Sequence, residues 1–217
     1  GNHAMGGESD SALPARRHCR NLSDADRALP SDPGPVLHTE RLILRPPCWD
    51  DFEPWANFMA DPEAARFLGG AQERAAVWRG LMCMAGAWQL RGFAMFSVIE
   101  RSTGRWIGRL GPWQPEGWPG TEVGWGLARE AWGKGYAFEG ACASIDWAFE
   151  NLGWSEVIHT IDPENHNSIR LAERLGSTDR GPGQLPAPFA HIAVRIWGQS
   201  RAQWFARRGR ADTQESA

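Results

Sequence analysis

The stretch Glu122-Val-Gly-Trp-Gly-Leu-Ala-Arg-Glu-Ala-Trp-Gly-Lys-Gly-Tyr-Ala137 places the tightest constraint on how the chain can fold. Glu122 to Leu127 is short and apolar-rich, and Gly124 and Gly126 interrupt it. Glycine inside a strand removes the side chain that would keep another group away from the backbone. Gly133, Lys134 and Gly135 follow, directly before Ala141, Ile145, Ala148 and Leu152, which recur at helical steps of four, three and four. Gly153 stands where a helix C-cap glycine is expected. Strand, glycine loop and helix N-terminus together make an anion site. The first amides of a helix lack internal partners, the dipole adds positive partial charge, and glycines let a phosphate come close. Gly133 to Ala137 therefore reads as a phosphate cradle, with a plain strand-to-helix turn as the simpler alternative.

Two other phosphate loops do not fit. A P-loop requires Gly-x-x-x-x-Gly-Lys-Ser/Thr, but Gly135 follows Lys134 and no glycine sits at the earlier spacing. A dinucleotide fingerprint requires Gly-x-Gly-x-x-Gly; its last position is Arg129 after Gly124 and Gly126, and Phe138 after Gly133 and Gly135. The segment instead resembles the acyl-CoA-binding signature of the GCN5-related N-acetyltransferases (GNAT), Gln/Arg-x-x-Gly-x-Gly/Ala. Glu130-Ala-Trp-Gly133-Lys-Gly135 matches both small positions and carries Glu130 at the first, beside Arg129. The resemblance implies that the glycine loop holds the CoA pyrophosphate and that the preceding strand lies along the pantetheine arm.

Composition removes whole classes of function. The 217 residues suit one domain with a sizeable core, and 42% hydrophobic with 23% charged residues is ordinary for a globular chain. A net charge of −3 supplies no global attraction to nucleic acid or an anionic membrane. No apolar run approaches the roughly 18 residues that span a bilayer, and the N-terminus lacks a signal-peptide core, so a cytoplasmic location is expected. Cys19, Cys48, Cys83 and Cys142 have neither metal-ligand nor disulfide spacing, and the six histidines form no His-x-x-x-His pair. No metal is expected. Lys134, inside the glycine loop, is the only lysine among 23 basic residues, and a flexible ammonium beside a phosphate is chemically apt. Most of the thirteen tryptophans are expected in the core.

Gly1 to Met5 reads as a tag remnant, and Gly6 to about Pro35 as a polar, disordered arm before a domain over 36–198 and a partly helical tail over 199–217. Thr39 to Arg45 reads as the first strand, stopped by Pro46 and Pro47. Asp50 or Asp51 is placed to cap a helix with Phe52, Trp55 and Met59 on one face. A second helix is predicted over Gln72 to Leu90. Strands follow at Phe93 to Glu100 and Trp106 to Leu110, joined by a turn at Arg101 to Arg105. Beyond the central strand and helix come a strand at Glu156 to Asp162, a helix from about Asn167 to Leu175 ended by Gly176, and a Pro/Gly-rich loop at Arg180 to Phe189. A strand at His191 to Trp197 and a short amphipathic helix at Ser200 to Arg208 close the chain. The fold class is α/β, on a mixed, mostly antiparallel central sheet flanked by helices.

That order is also the order of the acyl-CoA N-acyltransferase fold. Three stretches extend the resemblance over about Leu37 to Trp197, in its RimJ/RimL-like (ribosomal-protein alanine N-acetyltransferase) branch: Thr39-Glu-Arg-Leu42, Trp132-Gly-Lys-Gly-Tyr-Ala137, and Asn165-His-Asn-Ser168-Ile-Arg before Glu173-Arg-Leu-Gly176. It implies an acetyl-CoA-dependent N-acetyltransferase, monomer or homodimer, acting on a protein N-terminal amine or a small amine. Glu122 is the candidate base, at a position where the branch carries an acid; the plain alternative is a surface glutamate. Trp125, Gly126 and Leu127 are expected to offer backbone groups to pantetheine and oxyanion, and Trp132, Gly133, Lys134, Gly135, Tyr136 and Ala137 to hold the diphosphate. Asn165 matches the branch's asparagine at the cleft lip, or is simply a helix N-cap; Ser168 either touches CoA or sits in the first turn. Ala172 stands where many relatives place a tyrosine acid, Ser177 where the family commonly has Phe, and His159 is a second base candidate or a packed core histidine. A non-catalytic acyl-CoA-binding module and a cofactor-free Trp-rich interaction domain are the competing functions.

Overall fold

The computed structural model describes residues 34–209. The tag remnant and nearly all of the polar arm lie outside these residues, as does the tail after Gly209. The elements are β1 (Leu37–His38), β2 (Leu42–Arg45), α1 (Phe52–Ala60), α2 (Pro62–Ala65), α3 (Arg74–Arg91), β3 (Phe96–Glu100), β4 (Trp106–Trp113) and β5 (Glu122–Leu127). After them come α4 (Tyr136–Asn151), β6 (Glu156–Ile161), α5 (His166–Leu175), β7 (Thr178–Gly183), β8 (Val194–Ser200) and α6 (Arg201–Arg207). The strands form one eight-stranded sheet in the order β1-β2-β3-β4-β5-β6-β8-β7. Every described pairing is antiparallel except β5 with β6, which α4 connects as a crossover. The mixed, mostly antiparallel α/β sheet is the fold class expected.

Helices cover both faces of the β4–β5 pair. Arg109 and Gly126 are opposite one another, as are Leu110 and Trp125, so each pair shares a face. On the Leu110 side α4 buries Ala141, Ile145 and Ala148 and comes unusually close at Gly140, where a Cβ would lie 2.6 Å from Leu110 Cδ2. On the Arg109 side α1 lays Phe58 against Gly126. The helices thus sandwich the strand expected to line the site.

Three expectations change. Asp51 stands at the start of α1 but does not cap it. Its buried carboxylate takes both Nη atoms of Arg45 (2.8 and 2.7 Å), the Cys48 N–H (2.9 Å) and the Ser97 hydroxyl (2.7 Å), tying β2 to β3. Burial alone would raise its pKa; Arg45, Cys48 and Ser97 together outweigh burial and hold it below the usual carboxylate value. Asp51→Ala, by leaving Arg45 and Ser97 without their acceptor, is expected to lower the unfolding free energy by about 3 kcal/mol in urea titrations at neutral pH. Because the folded pKa is depressed, the ion-pair contribution is complete above the ordinary carboxylate pKa. It fades as pH falls through the folded value, so the penalty should shrink in acid.

The second change is β7, where a Pro/Gly-rich loop was expected. It is the outermost strand, pairing only with β8; an irregularity at Arg180 and Gly181 interrupts the register after Asp179, and Pro182 resumes it opposite Arg195. An edge strand accepts a residue without an N–H. The segment at Thr39 also divides into two short strands, because Thr39 turns the chain, its N–H donating to Leu42 O at 2.9 Å.

Candidate active site

β5 and β6 pair only where they begin. Glu122 faces Ile158, whose N–H donates to Thr121 O at 2.9 Å. A regular parallel ladder would next join Thr160 N–H to the Val123 carbonyl. Both groups are diverted: Thr160 N–H donates to a Glu122 carboxylate oxygen, and Val123 O accepts from His159 Nδ1 at 2.7 Å. The strands therefore separate, and among the described residues no strand lies beside the outer edge of Gly124 to Leu127. By strand alternation the N–H and C=O of Trp125 and the N–H of Leu127 point into the gap. Gly126 is a correction: its carbonyl faces β4, where a Cβ on Gly108 would lie 2.4 Å from it. The Leu127 carbonyl is already taken by the Trp132 indole at 2.8 Å.

Past β5 the chain makes a short 3-10 turn at Arg129–Ala131 and enters the glycine loop. Gly133 (φ 73°) and Gly135 (φ 79°) are both left-handed, and Gly135 is the N-cap of α4. A Cβ on Gly133 would meet nothing within 4 Å, so that side of the loop is open. Among the described residues, the backbone amides from Gly133 to Ala137 donate to no other backbone group outside their own helix. The β1–β2 turn braces the loop from behind. Arg41 donates from Nη1 to Lys134 O and from Nε to Glu139, both at 2.8 Å, and lies 4.5 Å from the centre of the Tyr136 ring. Thr39 Oγ1 and the Arg41 N–H hold the second Glu139 oxygen at 2.6 and 2.9 Å. Thr39-Glu-Arg-Leu42 thus fixes the first turn of α4. Tyr136 turns inward: its ring is buried and its hydroxyl donates to Glu100 at 2.7 Å, leaving its backbone N–H for a ligand. The Trp132 side chain, 41% exposed, forms the lip.

Glu122 is 4% exposed at the mouth of the strand gap. Its Oε1 accepts from Thr160 Oγ1 at 2.9 Å and Trp118 Nε1 at 3.1 Å. Burial pushes its pKa up to about 7, against the lowering effects of the Thr160 and Trp118 hydrogen bonds and the Arg109 charge. A carboxyl group poised there is part ionised at neutral pH and can accept a proton. On the same face Arg109 is pulled down to about 10 by burial, with Glu122 the one charge opposing the shift.

Asn165 caps α5, its Oδ1 accepting from Ser168 N–H at 3.3 Å. Ser168 Oγ accepts from Trp125 Nε1 at 3.0 Å, so α5 is tied to β5 and the serine proton stays available. His159 does not share the chemistry. Nδ1 donates to Val123 O, Nε2 accepts from Ser177 Oγ at 3.0 Å, and burial depresses the pKa to about 4. It is a neutral core histidine. Ser177 also takes the Gln199 amide at 3.0 Å, so a hydroxyl replaces an aromatic ring at this point to satisfy two buried polar side chains. Ala172 is fully buried and has no acid to offer. Sequence reading missed Trp118, Thr160, Arg41 and Arg109. Only Arg41, inside a quoted motif, carried a signal.

A family model described as the acetyltransferase (GNAT) domain matches residues 41–178. The chain is 31% identical to the uncharacterized N-acetyltransferase p20 of Bacillus licheniformis over 149 residues, which are 67% of this chain and 84% of that protein. It superposes on an acetyltransferase from Agrobacterium tumefaciens with a TM-score of 0.68 and 31% identity, covering 77% of this chain and 95% of the other. The fold is also that of the ribosomal-protein-S5-alanine acetyltransferase from Vibrio fischeri, with a TM-score of 0.61, 18% identity, and 78% and 98% coverage.

Proposed function

The chain belongs to the GNAT acetyltransferase family, and from that premise we propose that it moves an acetyl group from acetyl-CoA to a primary amine by direct attack in a ternary complex, with Glu122 as the base. The observation that carries this reading is a buried carboxyl group with a pKa near 7, opening a strand whose outer edge is unpaired and leads to the glycine loop. Open amides, left-handed glycines and the Lys134 ammonium suit a diphosphate, and the gap beside Trp125 suits an extended amide-bearing arm.

When bound, acetyl-CoA supplies an activated thioester carbonyl. Ionised Glu122, directly or through one water, takes a proton from the incoming ammonium, freeing the nitrogen lone pair to attack that carbonyl. Trp125 and Leu127 N–H groups are positioned to receive negative charge developing on the carbonyl oxygen. As the C–N bond completes, the C–S bond breaks and the sulfur leaves as a thiolate; the attacking nitrogen sheds its second proton, which reaches the thiolate through solvent or by relay over the Ser168 hydroxyl. The acceptor is a protein N-terminus or a small-molecule amine. No described helix is long and apolar enough to cross a membrane, and we place the reaction in the cytoplasm.

The test is calorimetric titration with acetyl-CoA followed by thiol-release assays across an amine panel. Micromolar binding with acceptor-dependent thiol release is the expected outcome. Binding without release from any amine would favour the non-catalytic module, and absence of binding would remove the reading altogether.

A further inference from the structure

Resting on that reading, we propose that Trp118 is a positioning residue for the base: its indole N–H fixes which oxygen of Glu122 stays open to the acceptor's proton and favours the ionised carboxylate. A carboxylate offers about four acceptor positions, two on each oxygen. Three of them are filled from within the chain. Glu122 Oε1 accepts from Thr160 Oγ1 at 2.9 Å and from Trp118 Nε1 at 3.1 Å, and Oε2 accepts from the Thr160 N–H. The position left over is on Oε2, and the acceptor's proton arrives there. Without the indole a position on Oε1 opens as well, and one of the donors that favour the charged form is lost.

The three donors differ in what carries them. Both Thr160 groups belong to β6 and are fixed by the sheet, whereas Trp118 stands on the β4–β5 connection and needs support of its own. Its backbone N–H closes a turn onto Pro115 O at 3.1 Å. Gly117, at φ 81°, packs on the β7–β8 connection, where a Cβ would lie 3.1 Å from Pro186 Cβ. That connection also reaches the turn after α2, where a Cβ on Gly69 would lie 3.6 Å from Phe189 Cε1. The adjoining Leu68 lies against Gly126, on the face of β5 that bears Glu122. The indole is therefore held by the loops that border the base, before any substrate arrives. Charge on its own does not orient the carboxylate. The charged group that bears on it most is Arg109, on β4. His159, next to Thr160 on β6, is neutral and directs both ring nitrogens to Val123 and Ser177.

The decisive measurement is the pH dependence of kcat/KM for thiol release, at saturating acetyl-CoA, in the wild type and in Trp118→Phe. Phe keeps an aromatic ring and loses the donor. The rising limb, near pH 7 in the wild type, should move up by about one pH unit, a roughly tenfold loss of rate at its foot. The loss on the plateau should be smaller, and the Kd for acetyl-CoA should stay as it is. A limb that does not move would overturn the assignment. So would an equal loss at every pH, which is what a merely displaced loop would give. The indole N–H resonances of the protein supply a reading that needs no turnover. One of them should titrate in the wild type with a midpoint near 7 and stand still in Glu122→Gln. If no indole follows Glu122, the role of Trp118 is refuted, even where Trp118→Phe does not fold. Loss of thiol release with every amine, beside an indole that does titrate, would count against the transfer reading alone.

Discussion

Glu122→Gln is expected to lower kcat by about 10²- to 10⁴-fold, the usual worth of a positioned general base, while acetyl-CoA binds as it does to the wild type. Gln keeps the volume and one carbonyl acceptor for Thr160 and Trp118, so the gap at which β5 and β6 part should survive. What it cannot do is take a proton. Wild-type kcat/KM should rise with pH through about 7, as Glu122 ionises, and then level, whereas the variant should lose that limb. Stability supplies an independent check, with its own sign. The folded pKa of Glu122 is raised, so the folded state binds the proton more tightly than the unfolded chain does. Its contribution is present below the unfolded carboxyl pKa and is lost as pH rises through about 7. The neutral amide escapes this loss, and the variant should melt above the wild type at pH 8. Inactive but more stable protein would mark a site that trades stability for chemistry. Near-wild-type turnover would instead remove the base role.

The parts of this molecule that could be read from its sequence are those whose signal is local. The glycine pair before α4, the Ala141–Ile145–Ala148 stripe, the Asn165 cap and the Gly176 stop all concern residues within one or two turns of one another. They gave the order of elements and the position of the cradle. The alternation of Glu122, Gly124 and Gly126 was also legible, but not which edge of the strand would be open, since that depends on Thr160 and His159 some forty residues away. Tyr136 sits in the loop motif, yet its ring direction is set by Glu100 and Arg41. Arg109 was invisible for the same reason. An arginine in an amphipathic strand looks like a surface residue until the register places it opposite Gly126 and beneath Phe58 and Leu68. The β7 misreading has a different origin. Proline and glycine usually signal a loop, but an edge strand with one irregularity tolerates both.

Gly135→Val is expected to raise the acetyl-CoA Kd by about 10- to 100-fold, equivalent to one or two charge-assisted hydrogen bonds. At saturating acetyl-CoA, kcat should change much less. Gly135 caps α4 at φ 79°, a backbone conformation that a β-branched residue rarely adopts. Relief of that strain must rotate the peptides on either side, whose N–H groups are the ones left open for a diphosphate. The new methyl groups would also stand near Arg41, whose Nη2 lies 3.4 Å from a Cβ at this position. Strain alone costs about 1–3 kcal/mol of stability, so a weakened protein by itself would prove little. Gly153 provides the control. It lies beyond the opposite end of the same helix at φ 65°, with nothing within 4 Å of a Cβ. Gly153→Val should therefore lose comparable stability and keep its acetyl-CoA affinity. If both variants bind acetyl-CoA equally well, the amides from Gly133 to Ala137 do not grip the diphosphate, and the cofactor must be held elsewhere.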